Sequence, residues 1–567
     1  MDVRKFLIWQ FLLAATAIGV SQSSFPLYPT FSLLVFLAVT PTVLVGIYSP
    51  LDTTERSVIL LFGLVCFVVM SRFAVALRPA SMIGYDPDKY AAFANITLEA
   101  GHIPELGFYG FAPLFHLLPT IVAIFSDGLT RHAFLVYIFV LGAAAPTLAW
   151  CFAHRVSGPN AATVAAGFGA SLPLFRQFAV WPIAQALGTV FTVIAVYVLG
   201  RSLGANRYKN RWIGILLLSL LAGGLTHKLP LIVGSLILLS CIILQYIFRG
   251  RVSFKSHESD NVSRTLFVIV AVFGVAEYTL FTDFVRTAVA LVQGLASVFS
   301  SETTMLPMPE AATQASAGVY TIFGSFSHAL VLLPIMFVLW MLALRKWSLE
   351  GMRLVLLAGL GATLGMVGLI APGFFSSVAP QPTRFYLFAS VLIAAFVGVC
   401  TIETRTSTDQ RALLAIGLII LIIFQSFALS ASIAPPGQSR YYLTNEEVTG
   451  KQFVERHLEG PVYTDQYYAR EIIFPEDVKS MEYPAARLGG SIATPPFKPV
   501  DGPLFNGTIT QVETVAIRTD EVVFRPTAGT VGGGFQTLSY TPTKELSRTH
   551  STVYSNGGVR VFWNFNR

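Results

Sequence analysis

Apolar runs of roughly 18 to 22 residues, separated by short polar breaks, follow one another along the chain to about residue 432. A run of that length crosses a hydrocarbon core of roughly 30 Å as a helix, so the pattern predicts a polytopic α-helical membrane protein. Helices are expected at about 5–22, 31–48 and 57–77. Ten more are expected at about 132–152, 160–175, 178–200, 212–226, 229–248, 264–284, 327–344, 352–371, 384–402 and 411–432. Residues 111–126 are apolar but short and hold Pro113 and Pro119; they read as a helix lying in the interface, not a crossing. The first 24 residues, with Arg4 and Lys5 before an apolar stretch and a serine-rich end, would also suit a cleaved signal peptide. An uncleaved helix is preferred, and either version leaves residue 25 outside the cytoplasm.

After residue 433 the pattern changes. Thr444-Asn445-Glu446-Glu447 is a capping box that opens a helix to about Leu458. Residues 512–524 alternate like a strand, and Asn556-Gly557-Gly558 before Val559 reads as a hairpin turn. The expected layout has four parts. Residues 1–78 are N-terminal membrane helices, and 79–131 an extracytoplasmic loop with interfacial helices. Residues 132–432 are a membrane bundle, and 433–567 a soluble extracytoplasmic α/β domain.

Charge sets the sidedness. With 111–126 held in the interface, His154 and Arg155 fall on one side together with Arg201, Arg207, Lys209, Arg211, Arg249, Arg251, Lys255 and Arg264. Arg345, Lys346, Arg353, Arg405 and Arg411 fall on that side as well, as the positive-inside rule requires. Treating 111–126 as a crossing would put the clusters through Arg264 outside. The bias therefore supports about thirteen helices with the C-terminus outside. Composition agrees: 54% of residues are hydrophobic and 12% charged, about half the charged share of a soluble domain. The sequence pI of about 9.1 is explained by the basic cytoplasmic loops, so no nucleic-acid partner is expected. Cys66, Cys151, Cys241 and Cys400 lie in apolar runs, spaced like neither a disulfide framework nor a metal site.

One polar island interrupts this pattern on the outer side. Gly84-Tyr85-Asp86-Pro87-Asp88-Lys89-Tyr90 opens a stretch that holds Asp86, Asp88, Glu99, His102, Glu105, Tyr109 and His116. Asp86 before Pro87 is a good N-cap for a helix running to about Ala100, with Gly101 as its stop and Tyr90, Phe93 and Thr97 along one face. Capping alone would account for Asp86. Ionisable side chains beside a lipid phase tend to be functional, however, and cations share the same side. Arg384 stands where an outer loop meets a helix, at a depth where it can grip a phosphate bidentately or merely snorkel. Thr226-His227-Lys228 forms another outer turn; Arg176 and His116 are weaker candidates. A carboxylate facing cations across that interface suits a base that deprotonates a sugar hydroxyl, which then displaces a lipid phosphate. Asp86, Asp88, Glu99 and Glu105 could supply oxygen ligands to a divalent cation, without a tight ligand signature. No Walker A, Gly-x-Gly-x-x-Gly or His-Glu-x-x-His motif is present.

Gly84-Tyr85-Asp86-Pro87-Asp88, Ala100-Gly101-His102-Ile103-Pro104, Tyr109 and Pro113-Leu114-Phe115-His116 resemble the first outer loop of GT-C glycosyltransferases. The likeness is nearest to archaeal dolichol-phosphate-dependent mannosyltransferases and protein O-mannosyltransferase-like enzymes. It extends to Ser171-Leu172-Pro173-Leu174-Phe175 and Thr383-Arg384-Phe385. It implies a polyprenyl- or dolichyl-phosphate-linked sugar donor and a lipid-linked glycan or protein acceptor. Asp86 would then be the base, Asp88 a helper, and Arg384, Lys228 and His227 the phosphate contacts, with His102, Glu105, Tyr109 and His116 in the acceptor loop. Two departures stand out: three helices precede the loop where the family usually has one, and the Trp-Trp-Asp-Tyr-Gly motif of oligosaccharyltransferases is absent. Single-sugar transfer is therefore expected. A transporter or lipid flippase is the main rival, kept open by Arg72 and Glu277 within or near helix termini; a non-catalytic anchoring protein is the second. The triplets beginning at Asn95 and Asn506 fall on the outer side as glycosylation sequons, and that at Asn261 inside.

Overall fold

The computed structural model describes residues 3–21, 27–49, 51, 53–84, 87–104, 110, 112–203, 208–248, 267–268, 270–276, 316–370, 382–404, 407–428, 442–465, 468–469, 497–499, 509–518, 525–526, 535–536 and 542–564. The protein is a multi-pass helical membrane protein with a small C-terminal α/β domain. Among the described residues eight helical stretches are long and apolar enough to cross a bilayer; the charge bias leads one to expect about thirteen. One of the eight, residues 130–171, turns back at Ser157–Gly158, where Gly158 takes φ 80°. It thus supplies both helices expected at 132–152 and 160–175. The second ends at Ser171, and Pro173 opens a separate short helix, Pro173–Val180, which stops at Trp181 because Pro182 follows. The next membrane helix begins at Ala184, later than expected. Ser316–Lys346 starts earlier than the expected 327.

Hydrogen bonds between loops show which helix ends share a face. On one face the Thr54 hydroxyl lies 3.1 Å from His154 Nε2, and the Asn160 amide donates to the Gly46 and Ser49 carbonyls at 2.7 Å. Ser157 and Arg353 both donate to Glu403 there, at 2.8 and 2.7 Å. On the opposite face Arg131 donates to the Ala80 carbonyl, Leu114 N–H to Leu225 at 3.0 Å, and Arg176 to Ser426 at 2.7 Å. The alternation follows the charge pattern. Basic residues gather on the first face, and the second, called here the loop face, carries residues 77–84.

The helix Leu114–Ser126 does not cross. At 1.5 Å per residue its 13 residues reach about 20 Å, and the chain on both sides of it, at Leu114 and at Arg131, bonds to the loop face. Phe115, His116, Pro119, Thr120 and Ala123 are buried on one side, while Ile121, Ile124 and Phe125 are exposed on the other. That asymmetry is what a helix lying in the interface needs.

At the centre of the bundle runs Pro382–Thr404, apolar on all sides, packed on the bent helix Val136–Ser171. A Cβ on Gly398 would overlap the Ala161 carbonyl, so glycine is what lets these two backbones meet. The first helix, Val3–Ser21, is packed into the bundle, with the Gln10 amide donating to the Ala38 carbonyl at 2.9 Å.

In the C-terminal domain the capping box forms as expected: Thr444 and Glu447 cap each other at the head of Asn445–His457. Strands β1 (Val462–Thr464), β2 (Phe497–Pro499), β3 (Thr514–Arg518), β6 (Ser551–Ser555) and β7 (Val559–Trp563) make a sheet of order β2-β1-β3-β7-β6. The first three are parallel, and β7 runs antiparallel to β3 and β6. Between them β4 (Arg525–Pro526) and β5 (Phe535–Gln536) form a separate pair. The expected hairpin joins β6 and β7, where the Asn556 side chain accepts from Gly558 and Val559 N–H. Of the strand expected over 512–524, residues 514–518 are strand and 519–524 lie outside the described residues.

Candidate active site

The loop face gathers most of the candidate residues. The helix after the polar island runs Pro87–Ala100 and ends at Gly101, φ 67°, with the expected bounds. Asp86, Glu105 and Tyr109 lie outside the described residues, as does the side chain of Arg384, whose backbone belongs to Pro382–Thr404. Asp88 is buried in the first turn of Pro87–Ala100, where the helix dipole favours a carboxylate.

Immediately before this helix the chain is held from three directions. Ala80 N–H donates to the Leu443 carbonyl at 3.2 Å, and Leu443 N–H donates to the Ser81 hydroxyl at 2.8 Å. The C-terminal domain is thereby joined to the loop. Arg131 grips Ala80 from the side. Gly84 sits at φ 124°, a conformation open to glycine, and any Cβ there would run into the Trp181 indole. Trp181 also packs against the cores of both the bundle and the C-terminal domain. One side chain thus fixes loop, membrane helices and soluble domain together.

His116 lies inside this assembly, not at its surface. Its ring stands 5.6 Å from Tyr90, 5.4 Å from Phe93 and 5.6 Å from Phe115. Burial pushes its pKa down from 6.5 to about 3; a backbone hydrogen bond at Tyr90 opposes the shift and the Lys89 charge adds to it. The imidazole is therefore neutral near pH 7 and packs the interfacial helix onto Pro87–Ala100. Between about pH 3 and 6.5 the unfolded chain takes up a proton that the folded one refuses, so this group's effect is a loss of stability as pH falls through that window. Thermal melts at pH 4 to 6.5 should show a shallower decline for His116→Phe than for the wild type. An equal decline would show that the folded imidazole protonates freely.

Two further candidate histidines, His102 and His227, bond to backbone close by in sequence. His102 is exposed just past Gly101, its Nδ1 2.8 Å from the Ala100 carbonyl, which assigns the proton to Nδ1 and leaves Nε2 to solvent. Nδ1 of His227 accepts from Leu229 N–H at 3.2 Å, at the head of Leu229–Ile247, with Lys228 half-buried beside it. This turn meets the interfacial helix through the Leu114–Leu225 bond. The sequon at Asn95 is closed: the side chain is buried and donates to Glu99 at 3.0 Å. Asn261 and Asn506 lie outside the described residues. No group of three or more His, Cys, Asp or Glu suited to a metal occurs among the described residues.

Two cations carry more weight in the structure than in the sequence reading. Arg72 and Arg176 are both buried and line one cleft on the loop face. Arg72 was legible as an ionisable residue inside an apolar run; its proximity to Arg176, a hundred residues later, was not.

No family model matches the sequence, and no curated protein matches it. Several solved structures are similar in outline. One is the apo oligosaccharyltransferase of Archaeoglobus fulgidus, 11% identical with a TM-score of 0.47, covering 71% of this chain and 62% of that one. This chain therefore spans less than two thirds of that protein's length. A second is the oligosaccharyltransferase AglB of the same organism with an inhibitory peptide and a dolichol-phosphate, 12% identical with a TM-score of 0.47, covering 81% and 69%. A third is ArnT from Cupriavidus metallidurans bound to undecaprenyl phosphate, 13% identical with a TM-score of 0.41, covering 89% and 97%.

Proposed function

We propose that this chain is a GT-C-type membrane glycosyltransferase that moves one sugar from a polyprenyl- or dolichyl-phosphate carrier to a lipid-linked glycan or a protein. The observation that carries this reading is the junction at residues 80–84. There the chain entering the acid-bearing helix Pro87–Ala100 is bonded to Leu443 of the C-terminal domain and to Arg131, which follows the interfacial helix. A lipid-borne donor reaches the membrane boundary from the bilayer and a polar acceptor reaches it from water. The concentration of basic residues on the opposite face supports a cytoplasmic location for that face and an extracytoplasmic location for the loop face.

In this reading residues 79–131 form the catalytic loop and 433–567 the soluble domain above it. Asp86 accepts the proton of the acceptor hydroxyl, and Asp88 supports it from the first turn. The hydroxyl oxygen bonds to the anomeric carbon as the bond from that carbon to the phosphate oxygen breaks, and the lipid phosphate leaves with the electron pair. Arg384, Lys228 and His227 bear on the leaving phosphate, where a cation is worth most as charge develops. His102, Glu105 and Tyr109 belong to the acceptor side, while buried His116 acts there only by holding the two helices together. Asp86, Asp88, Glu99 and Glu105 are the side chains that could supply oxygen ligands to a divalent cation. Mannose is the sugar suggested by the loop resemblance.

The test is transfer of radiolabelled sugar by the purified full chain from a panel of polyprenyl-phosphate sugars, mannosyl donors first. Label is expected in a glycolipid or protein product with the mannosyl donor. If no donor in the panel yields product while the same protein moves polyprenyl-phosphate sugar across a vesicle membrane, the flippase reading replaces this one.

A further inference from the structure

We infer that Trp181 is a positioning residue for the proposed transfer: its indole couples the C-terminal domain to the chain that leads into Asp86 and the helix Pro87–Ala100. The catalytic consequence rests on the reaction proposed above; the coupling is a property of the fold. Trp181 stands at a break in the helices. Pro182 disfavours helical backbone at the residue before it, so Pro173–Val180 ends there. Trp181 takes φ −118° and ψ 76°, with its N–H bonded to the Gln177 carbonyl at 2.8 Å. In the same short helix Arg176 donates to the Ser426 and Ala428 carbonyls, at 2.7 and 3.3 Å, which ties the break to the end of Thr408–Phe427.

Three parts of the molecule meet the half-buried indole. It packs against the core of the bundle, to which Ile83, Tyr90 and Phe93 on either side of Asp86 belong, and against that of the C-terminal domain, to which Leu443 and Val454 belong. Gly84, buried, is the third. It comes so close that a Cβ would overlap the indole, and its φ of 124° suits glycine alone. Just upstream, Leu443 bonds to Ala80 and Ser81 at 3.2 and 2.8 Å. The C-terminal domain therefore holds the loop at two points, directly through Leu443 and through Trp181 at Gly84.

Gly84 precedes Asp86 by two peptide units, which are planar and stiff, so a displacement of Gly84 is passed on to Asp86. A general base works only within hydrogen-bond reach of the proton it takes, and a misplacement of about 1 Å can cost on the order of 10²-fold in rate. A side chain that touches no substrate can set the rate in this way, through the place where the loop is held. The C-terminal domain then acts as one of the walls that hold the loop, in addition to any contact with an acceptor.

The experiment pairs hydrogen exchange on the purified full chain with transfer kinetics from a mannosyl polyprenyl phosphate. Trp181→Ala is expected to lose amide protection at 80–84 and at 443–454 together, with Pro382–Thr404 unchanged. Its kcat should fall about 10- to 100-fold while KM stays within about twofold. Trp181→Phe keeps an aromatic wall and should restore most of the protection and of kcat. Gly84→Ala presses on the same contact from the loop side and serves if Trp181→Ala does not fold; the same joint loss is expected. Where both fold, their effects should be less than additive, because without the indole the new methyl meets only the penalty of its positive φ. If the wild type transfers nothing from any donor, the proposed reaction falls, and the exchange data still decide the coupling. The coupling is overturned if folded Trp181→Ala or Gly84→Ala leaves either segment as protected as in the wild type. The positioning role is overturned if Trp181→Ala shows the joint loss and still transfers at the wild-type kcat.

Discussion

Asp86→Asn is expected to lower sugar transfer by about 10²- to 10⁴-fold and to leave the thermal midpoint of the protein unchanged. The helix begins at Pro87, so residue 86 stands where an N-cap belongs, and asparagine caps about as well as aspartate while lacking a basic oxygen. Asp86→Ala removes both properties, and should cost about 1 kcal/mol of stability in addition to the activity. Comparing the two at matched yield separates the roles. If Asp86→Asn keeps transfer while Asp86→Ala loses stability and transfer together, Asp86 is a cap and the base lies elsewhere, with Asp88 next in line.

Asp465→Ala is expected to destabilise the C-terminal domain by about 3 to 5 kcal/mol. Arg518 donates to both carboxylate oxygens of Asp465, at 2.8 and 2.7 Å, and its Nη1 stands 3.8 Å from Glu447. All three side chains are fully or almost fully buried. Nearby Lys451 donates to the Tyr468 carbonyl at 2.7 Å and lies over the Phe497 ring. Removing the acid would strand a buried guanidinium, the costly way to break such a pair. The loss is large beside the ~5 to 15 kcal/mol typical of a whole domain. Limited proteolysis and hydrogen exchange over residues 445–465 and 514–518 should show it. The double replacement Asp465→Leu with Arg518→Met should recover part of the protection, because the guanidinium is gone while buried Glu447 loses its cation and keeps the Thr444 N–H. Equal protection in wild type and Asp465→Ala would mean the network does not hold the domain.

What could be read from the sequence was whatever depends on neighbours in the chain. Most of the apolar runs, the short proline-bearing stretch at 111–126 (helical over 114–126), the cap at Thr444 and the turn at Asn556 rest on local spacing and have counterparts among the described residues. The failures came where distant residues decide. Leu172 and Trp181 break what looked like continuous runs because prolines follow them. His116 looked like a loop ligand but is enclosed by Tyr90, Phe93 and Phe115, and Asn95 looked like a glycan acceptor but is buried against Glu99. The cleft of Arg72 and Arg176 and the fork of Arg518 on Asp465 join residues far apart in sequence, and no periodicity announces them.

The bond between Ser81 and Leu443 closes a separation of 362 residues. The loop at 80–84 emerges during synthesis long before Leu443 does, and membrane insertion of the bundle does not wait for it. Contacts of such long range form late in assembly. A ribosome that stops short of residue 443 would therefore release a bundle whose loop face lacks this contact.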